Sequence, residues 1–326
     1  MGMAPLRPVK KDGASEQRAD GILGRSQCSP CSLLRHRTDR YLRTASARTA
    51  VKALKSRDGV QSELRQELEN HVKRSFPVPI STAIANRLSE FDHLGCNLWN
   101  AATNLLREDE QQQASDDSRE RHRGPLQTIL RTFAFLLLDT AHHATARRSK
   151  DMDQQIRNFR IGLKACRFCL DQNELQLAVK LLERCAEHVN TVETESPLVR
   201  MHNDHDEANH RETKLAGMVS EYYLLRMTHA FKADRIDLAD HFFDKLSISG
   251  VAQPIIAELT AQLCFDAGKT LVKRGSVDLS IKWLDRALSA LDGCGVEDLS
   301  MDSSELRLAI TSTLGGFTNS RVLLQN

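Results

Sequence analysis

Residues 254–292 read PIIAELTAQLCFDAGKTLVKRGSVDLSIKWLDRALSALD, and this stretch decides the fold class. Apolar residues recur three and four positions apart on both sides of Gly275, which is the spacing of two amphipathic helices. Pro254 stands where a helix can begin, and Gly275 stands where the first helix must end. Because so short a turn joins them, the two helices are predicted to lie antiparallel and side by side.

Small side chains mark the places where this predicted pair of helices closes. With Gly268 at position 8 of a repeat, Leu271 stands at position 11, Ser280 at 20, Leu284 at 24 and Ala287 at 27. Small residues at 8, 20 and 27 with a bulky apolar residue at 24 are typical of a tetratricopeptide repeat. The stretch therefore predicts one such repeat.

Two further pairs of helices upstream have the same phase. In the nearer pair Ala230, Ala239 and Phe243 take positions 11, 20 and 24, although Met227 and Leu246 are large where small residues are usual. The farther pair has the following residues at positions 8, 11, 20, 24 and 27: Cys166, Cys169, Ala178, Leu182 and Cys185. The predicted pairs are 154–171 with 174–190, 206–233 with 235–248, and 254–274 with 276–292.

Outside these pairs, helical spacing predicts helices at 60–73, 81–108 and 126–143, and the last is apolar nearly all round. Residues 109–123 are almost entirely polar and are interpreted as a solvated loop. A 40% hydrophobic content with only 5% aromatic residues also favours an all-α chain. The predicted fold is therefore an all-α, tetratricopeptide-like helical-repeat solenoid over residues 59–310, followed by an irregular tail at 311–326.

Residues 1–58 form a basic tail in this interpretation. Residues 1–60 carry a net charge of +8, which leaves −6 for the remaining chain. The tail lacks sustained apolar periodicity, so we expect it to be disordered apart from a short helix at 33–55. No apolar run is long enough to span a bilayer, and no secretory signal is present, so a soluble intracellular protein without a membrane partner is expected. The basic stretch at 33–55 also resembles a transit peptide, although acidic residues precede it, and this alternative stays open.

Cysteine spacing offers a possible metal site. Cys28 and Cys31, and Cys166 and Cys169, each have the CxxC spacing of zinc ligands. The two motifs lie far apart in the chain, and the repeat phase already explains Cys166, Cys169 and Cys185 as small packing residues. We therefore expect reduced thiols at the seam of one helix pair, with no metal bound.

Other motifs give no support for catalysis. Residues 202–206, with His210 nearby, and the pair His142 and His143 lack the spacing that fixes two imidazoles on one helix. Gly268-Lys269-Thr270 copies the end of a phosphate loop, but Leu263 stands where that motif needs glycine. The chain is accordingly predicted to be no enzyme, with no cofactor and no small-molecule ligand.

Three stretches resemble a known family: Leu94 to Thr103 (LGCNLWNAAT), Glu221 to Met227 (EYYLLRM), and Ala267-Gly268-Lys269 with Ile281 to Leu288 (IKWLDRAL). They are similar to the fungal meiotic scaffold family named sporulation-specific protein twenty-two, or "zip four", related to the testis-expressed eleven protein. The resemblance implies a helical-repeat protein that holds other factors together in meiotic recombination, chromosome synapsis and crossover formation, in the nucleus on meiotic chromosomes. This chain is shorter and is expected to match the family's N-terminal portion.

A helical-repeat solenoid presents its first helices to a groove that suits a peptide or a helix. Positions 2 and 9 of the three repeats supply the candidate protein-binding residues, namely Arg160, Arg167, Glu221, Thr228, Gln262 and Lys269. Two alternatives stay open: a helical-repeat adaptor without a meiotic role, and a nucleic-acid-associated protein that uses residues 1–58. Both Trp99 and Trp283 fall on apolar helix faces and are predicted to be largely buried packing residues.

Overall fold

The computed structural model describes residues 61–75, 86–112, 117–146, 152–199, 205–248, 253–295, 297 and 299–325. The expectations for residues 1–58, including Cys28 and Cys31, lie outside the described residues. The helices, numbered in chain order, are α1 Gln61–Ser75, α2 Leu88–Gln112, α3 Asp117–Ala146, α4 Met152–Asp171, α5 Leu175–Val199, α6 His205–Lys232, α7 Ile236–Ile248, α8 Pro254–Lys273, α9 Val277–Asp292 and α10 Met301–Gln325.

These helices pack as consecutive pairs, α2 with α3, α4 with α5, α6 with α7, and α8 with α9. Neighbouring pairs are joined through both kinds of helix, since α4 packs against α3, and α6 packs against α4, α5 and α8. Helix α1 packs against α3, and α10 packs against α8 and α9. The observed arrangement confirms the predicted all-α, helical-repeat solenoid.

The three turns within the predicted repeats share one backbone geometry. Each contains one residue with positive φ: Asn173 at 57°, Asp234 at 57° and Gly275 at 77°. The next residue donates its amide to the carbonyl five residues earlier, Glu174 to Cys169, Arg235 to Ala230 and Ser276 to Leu271, at 2.8, 2.8 and 3.0 Å. Asparagine, aspartate and glycine tolerate this conformation best, so these residues end the first helix of each pair at the predicted place.

The close contact between α8 and α9 requires a glycine at position 268. A Cβ atom on Gly268 would lie 2.9 Å from the Cγ and Cδ2 atoms of Leu284. The Ser280 hydroxyl donates to the Gly268 carbonyl at 3.0 Å across the same seam. The predicted repeat phase is confirmed here, because the residues at positions 8, 20 and 24 meet in space.

Helix α3 lies inside the solenoid, where every residue from Leu126 to His142 is buried, as its apolar sequence predicts. The apolar core forms two clusters, and both draw on α6. Met218 and Leu225 belong to the first cluster, whereas Leu224 and Met227 belong to the second. Helix α6 therefore connects the two halves of the core.

The two tryptophans differ in burial. Trp283 is 1% exposed and packs edge-on against Phe231, with the two ring centroids 4.7 Å apart. Trp99 is only partly buried and lies under the guanidinium of Arg131, 5.4 Å from the ring centroid. The predicted burial is confirmed for Trp283, and Trp99 is partly buried and packs against the first core cluster.

Two predicted irregular segments are helical. The expected loop at 109–123 belongs largely to α2, which ends at Gln112, and to α3, which begins at Asp117. Eight of its fifteen residues are glutamate, glutamine or arginine, which are strong helix formers despite their polarity. Residues 311–325 likewise continue α10, and an added Cβ on Gly315 or Gly316 would meet nothing within 4 Å. The expected irregular tail was wrong because two exposed glycines weaken a helix without ending it.

Candidate protein-binding surface

The candidate surface is the outward side of the first helices α2, α4, α6 and α8, and we call it the first-helix surface. Four of the six predicted residues on it are exposed, namely Arg160, Arg167, Gln262 and Lys269. Glu221 and Thr228 on α6 are partly buried. Placement on this side of the helices follows from the repeat phase, because positions 2 and 9 lie two turns apart on one face.

Arg167 and Glu221 are brought together by the packing of α4 against α6. Their side chains form an ion pair with an N···O distance of 2.9 Å. The Thr228 hydroxyl is bonded within its own helix, to the Leu224 carbonyl at 2.9 Å. The first-helix surface is therefore continuous from α4 to α6 at Arg167, whereas the Thr228 hydroxyl is bonded within α6.

The two predicted residues of α8 share one carboxylate. Gln262 donates to the Oδ2 atom of Asp266 at 3.0 Å, and the Lys269 ammonium lies 3.0 Å from Oδ1 of the same side chain. The Lys269 ammonium also lies 4.5 Å above the ring of Phe265. Because both side chains are bonded within their own helix, this part of the surface is locally neutralised.

Further cations on α4 were not among the predicted residues. Arg157 pairs with Asp92 of α2 at 2.9 Å, and Lys164 is exposed between Arg160 and Arg167. Spacing alone could have identified them, because Arg157, Arg160, Lys164 and Arg167 follow one another at helical intervals of three and four. The surface is therefore more basic on α4 than the six predicted residues suggested.

A buried polar cluster connects the second helices α3 and α5. Asp139, which is 4% exposed, accepts a bond from Arg184 at 2.6 Å and lies 3.0 Å from the Nε2 atom of His188. The His188 ring stacks between His142 and Phe159, with centroids 6.0 and 5.8 Å away. Burial alone would raise the pKa of Asp139, but the bonds and charges of His188 and Arg184 outweigh it and lower the pKa. The cluster stabilises the contact between two pairs of helices.

The cysteines of α4, α5 and α8 are buried packing residues. Cys166 and Cys185 face each other across the α4–α5 seam, where burial raises the pKa of Cys166. Cys169 instead faces α3, with its sulfur 3.5 Å from the Thr132 hydroxyl, and burial raises its pKa to about 12. Burial likewise raises the pKa of Cys264 to about 12. Cys169 therefore contacts the preceding pair of helices through Thr132 of α3.

The remaining motifs have plain structural settings. Gly268-Lys269-Thr270 lies inside α8, so its backbone amides are used within the helix and cannot surround a phosphate. His142 is buried in α3, and residues 201–204 lie outside the described part of the chain. Among the described residues, no three His, Cys, Asp or Glu side chains are grouped as metal ligands. No helix in the described ranges is both long and apolar enough to cross a membrane.

Comparison with known proteins identifies one family. The family model described as "Meiosis protein SPO22/ZIP4 like" matches residues 229–316, which run from the end of α6 through α7, α8 and α9 into α10. Neither the curated proteins nor the solved structures contain a match. The matched range includes the stretches Ala267-Gly268-Lys269 and Ile281 to Leu288, on which the resemblance partly rested. Residues 229–316 thus match the SPO22/ZIP4-like meiosis protein family, and this match supports the family resemblance found in the sequence.

Proposed function

We propose that this chain is a non-catalytic scaffold that binds other proteins during meiotic recombination and chromosome synapsis. The family match over residues 229–316 carries the proposal, because the matched family is one of meiosis proteins. The matched residues comprise the pair α8–α9, the preceding helix α7 with the end of α6, and the first part of α10. Such packed helices offer a broad preformed surface for partners. The site of action that accords with this role is the nucleus, on meiotic chromosomes.

The chemistry of the described side chains supports binding over catalysis. A reactive cysteine needs a lowered pKa and access to solvent, whereas Cys166, Cys169 and Cys264 are buried and their pKa values are raised. The Asp139 and His188 pair is also buried, and Asp139 is bonded to Arg184. These groups stabilise the packing of helices.

The proposed docking site is the first-helix surface with its residues Arg160, Arg167, Glu221, Thr228, Gln262 and Lys269. Partners that dock on a rigid helical array need not order the scaffold, so more of the contact energy appears as affinity. A helical-repeat adaptor without a meiotic role is the alternative. A nucleic-acid role would rest on residues 1–58, and that binding would weaken steeply with salt.

Meiosis itself supplies the test of the proposal. Deleting the gene in the source organism is expected to lower crossover frequency and gamete or spore viability, while vegetative growth stays normal. A tagged chain is expected on spreads of meiotic chromosomes. Normal crossover frequency and normal synapsis in the deletion strain would refute the meiotic role and favour the general adaptor.

The docking surface has its own test. We expect the triple change Arg160→Glu, Arg167→Glu and Lys269→Glu to reproduce the deletion phenotype without lowering protein abundance. Reversing charges on the surface removes partner contacts, whereas the helical core is left intact. Full meiotic function in this variant would place docking elsewhere on the chain.

A further inference from the structure

The exposed side of α4 carries four cations in a row, and we call Arg157, Arg160, Lys164 and Arg167 the basic strip. The spacings of three, four and three residues place all four on one face of the helix. The row spans about 15 Å, since each helical residue rises about 1.5 Å. Within α4 the acidic residues stand only at the ends, at Asp153 and Asp171.

The outer and inner members of the basic strip differ in their contacts. Arg157 is paired with Asp92 of α2, and Arg167 with Glu221 of α6, both at 2.9 Å. Arg160 and Lys164 are exposed and form no ion pair or hydrogen bond with any residue that the structure describes. Two like charges four residues apart on a helix repel each other, so the inner pair favours an anionic partner.

We propose that Arg160 and Lys164 bind an acidic segment of a partner protein, with side-chain carboxylates that bridge the two cations. The proposal rests on the proposed function and names the chemistry of its partner. The Arg160 guanidinium can bind a carboxylate through two parallel N–H donors, and Lys164 adds a mobile point charge beside it. Arg157 and Arg167, which are paired with carboxylates, lie at the two ends of this site.

The small number of free cations favours an acidic protein segment over a nucleic acid at this site. The carboxylates of Asp92 and Glu221 pair with Arg157 and Arg167, so only Arg160 and Lys164 remain for a partner. The chain beyond residue 60 has a net charge of −6, so the strip is a local exception on an acidic body. Salt-dependent nucleic-acid binding usually draws on several phosphate contacts, whereas only two cations of the strip are free.

Binding of a defined peptide to the full chain tests the proposal. The probe is a fluorescein-labelled, Ala-rich helical peptide with glutamates four residues apart, and its counterpart has glutamine at those positions. At about 150 mM salt, we expect the glutamate probe to bind the wild-type chain and the glutamine probe to bind much more weakly. The double change Arg160→Glu and Lys164→Glu is expected to weaken the glutamate probe about tenfold or more.

Two further variants distinguish binding at Arg160 and Lys164 from an effect of net charge or of unfolding. Lys245 on α7 and Lys273 on α8 are also exposed and form no ion pair with described residues, so K245E/K273E alters the net charge equally. We expect this control to bind the glutamate probe like the wild type. The neutral variant R160Q/K164Q is expected to bind the glutamate probe weakly. Its midpoint of thermal unfolding should equal that of the wild type, which would exclude unfolding as the cause of the weaker binding.

Four results would overturn the proposal. Equal losses in R160E/K164E and K245E/K273E would mean that the probe responds to net charge alone. Selective loss of a labelled DNA duplex by R160E/K164E would make the strip a nucleic-acid surface, and selective loss of self-association would make a second copy the occupant. If the deletion strain has a meiotic defect but the wild-type chain does not bind the glutamate probe, the proposed binding at the basic strip is refuted and the proposed function is not.

Discussion

At the residue scale, Asp139 is a buried carboxylate whose interactions contribute to stability. Its carboxylate is buried and bonded to both Arg184 and His188, which come from α5. Removing one partner of a buried charge cluster leaves the others desolvated and unpaired. Such losses typically cost about 3 to 5 kcal/mol.

We therefore predict that Asp139→Asn lowers the free energy of unfolding in urea at pH 7 by about 3 to 5 kcal/mol. The folded pKa of Asp139 is lowered, so its stabilising effect is present above the unfolded pKa of about 3.9 and disappears as pH falls through the folded value. The difference between variant and wild type should narrow below about pH 4. A difference that is independent of pH would contradict this account.

The control for this prediction is Asp171→Asn. Burial raises the pKa of Asp171 even though Lys232 and Arg167 lower it, so its ionised form is disfavoured in the folded chain. Neutralising Asp171 should leave stability at pH 7 unchanged or slightly higher. The change from Asp to Asn is thus expected to lower the free energy of unfolding at position 139 and not at position 171.

The tryptophans give a second prediction at this scale. Trp283→Ala should cost about 3 to 5 kcal/mol, as for a fully buried aromatic side chain, and Trp99→Ala should cost less because its ring is partly exposed. In single-tryptophan variants, acrylamide should quench Trp99 in W283F more strongly than Trp283 in W99F. Similar quenching of both indoles would contradict the burial assigned to them.

At the element scale, glycines in two helices have opposite roles. A Cβ on Gly268 would press on Leu284, which is fully buried, so Gly268→Ala should destabilise by about 1 to 3 kcal/mol. A Cβ on Gly315 meets open space in α10, so Gly315→Ala should stabilise by up to about 1 kcal/mol through helix propensity. Urea unfolding at pH 7 measures both. A stabilising Gly268→Ala would mean that the α8–α9 seam is not tightly packed.

At the scale of the whole molecule, α6 decides whether the two core clusters unfold together. Repeat arrays can lose cooperativity when neighbouring units share little surface. Here α6 places buried side chains in both clusters, so separating them would expose apolar surface on this helix. The molecule is therefore expected to behave as one cooperative unit.

Urea unfolding checks this expectation. In W99F, the fluorescence of Trp283 reports on the second cluster, and in W283F, Trp99 reports beside the first. Within each variant the fluorescence transition should coincide with the far-ultraviolet circular dichroism transition. Two separated transitions in either variant would mean that α6 does not couple the clusters.

Much of the fold was readable from local signals in the sequence. The ends of the paired helices were predicted to within a few residues at their turns, because Asn173, Asp234 and Gly275 each adopt a backbone conformation that few residue types tolerate. The repeat phase predicted the burial of Cys166, and the apolar face of α9 predicted that of Trp283, since helical spacing alone determines which side chains share a face. The loop predicted at 109–123 was inferred from the polarity of its residues. That prediction was wrong because polar residues can have high helix propensity without being buried.

The candidate site depended more on tertiary structure. Spacing indicates that Arg160, Lys164 and Arg167 share a face, but only the packing of α4 against α6 pairs Arg167 with Glu221 and leaves the other two cations free. Asp139 meets Arg184 and His188 across 45 and 49 residues of chain, a contact that no local pattern encodes. Sequence determines which side chains share one helix face, because that depends on the turn of a single helix. Which charges are neutralised between helices depends on how those helices pack, and only the tertiary structure decides it.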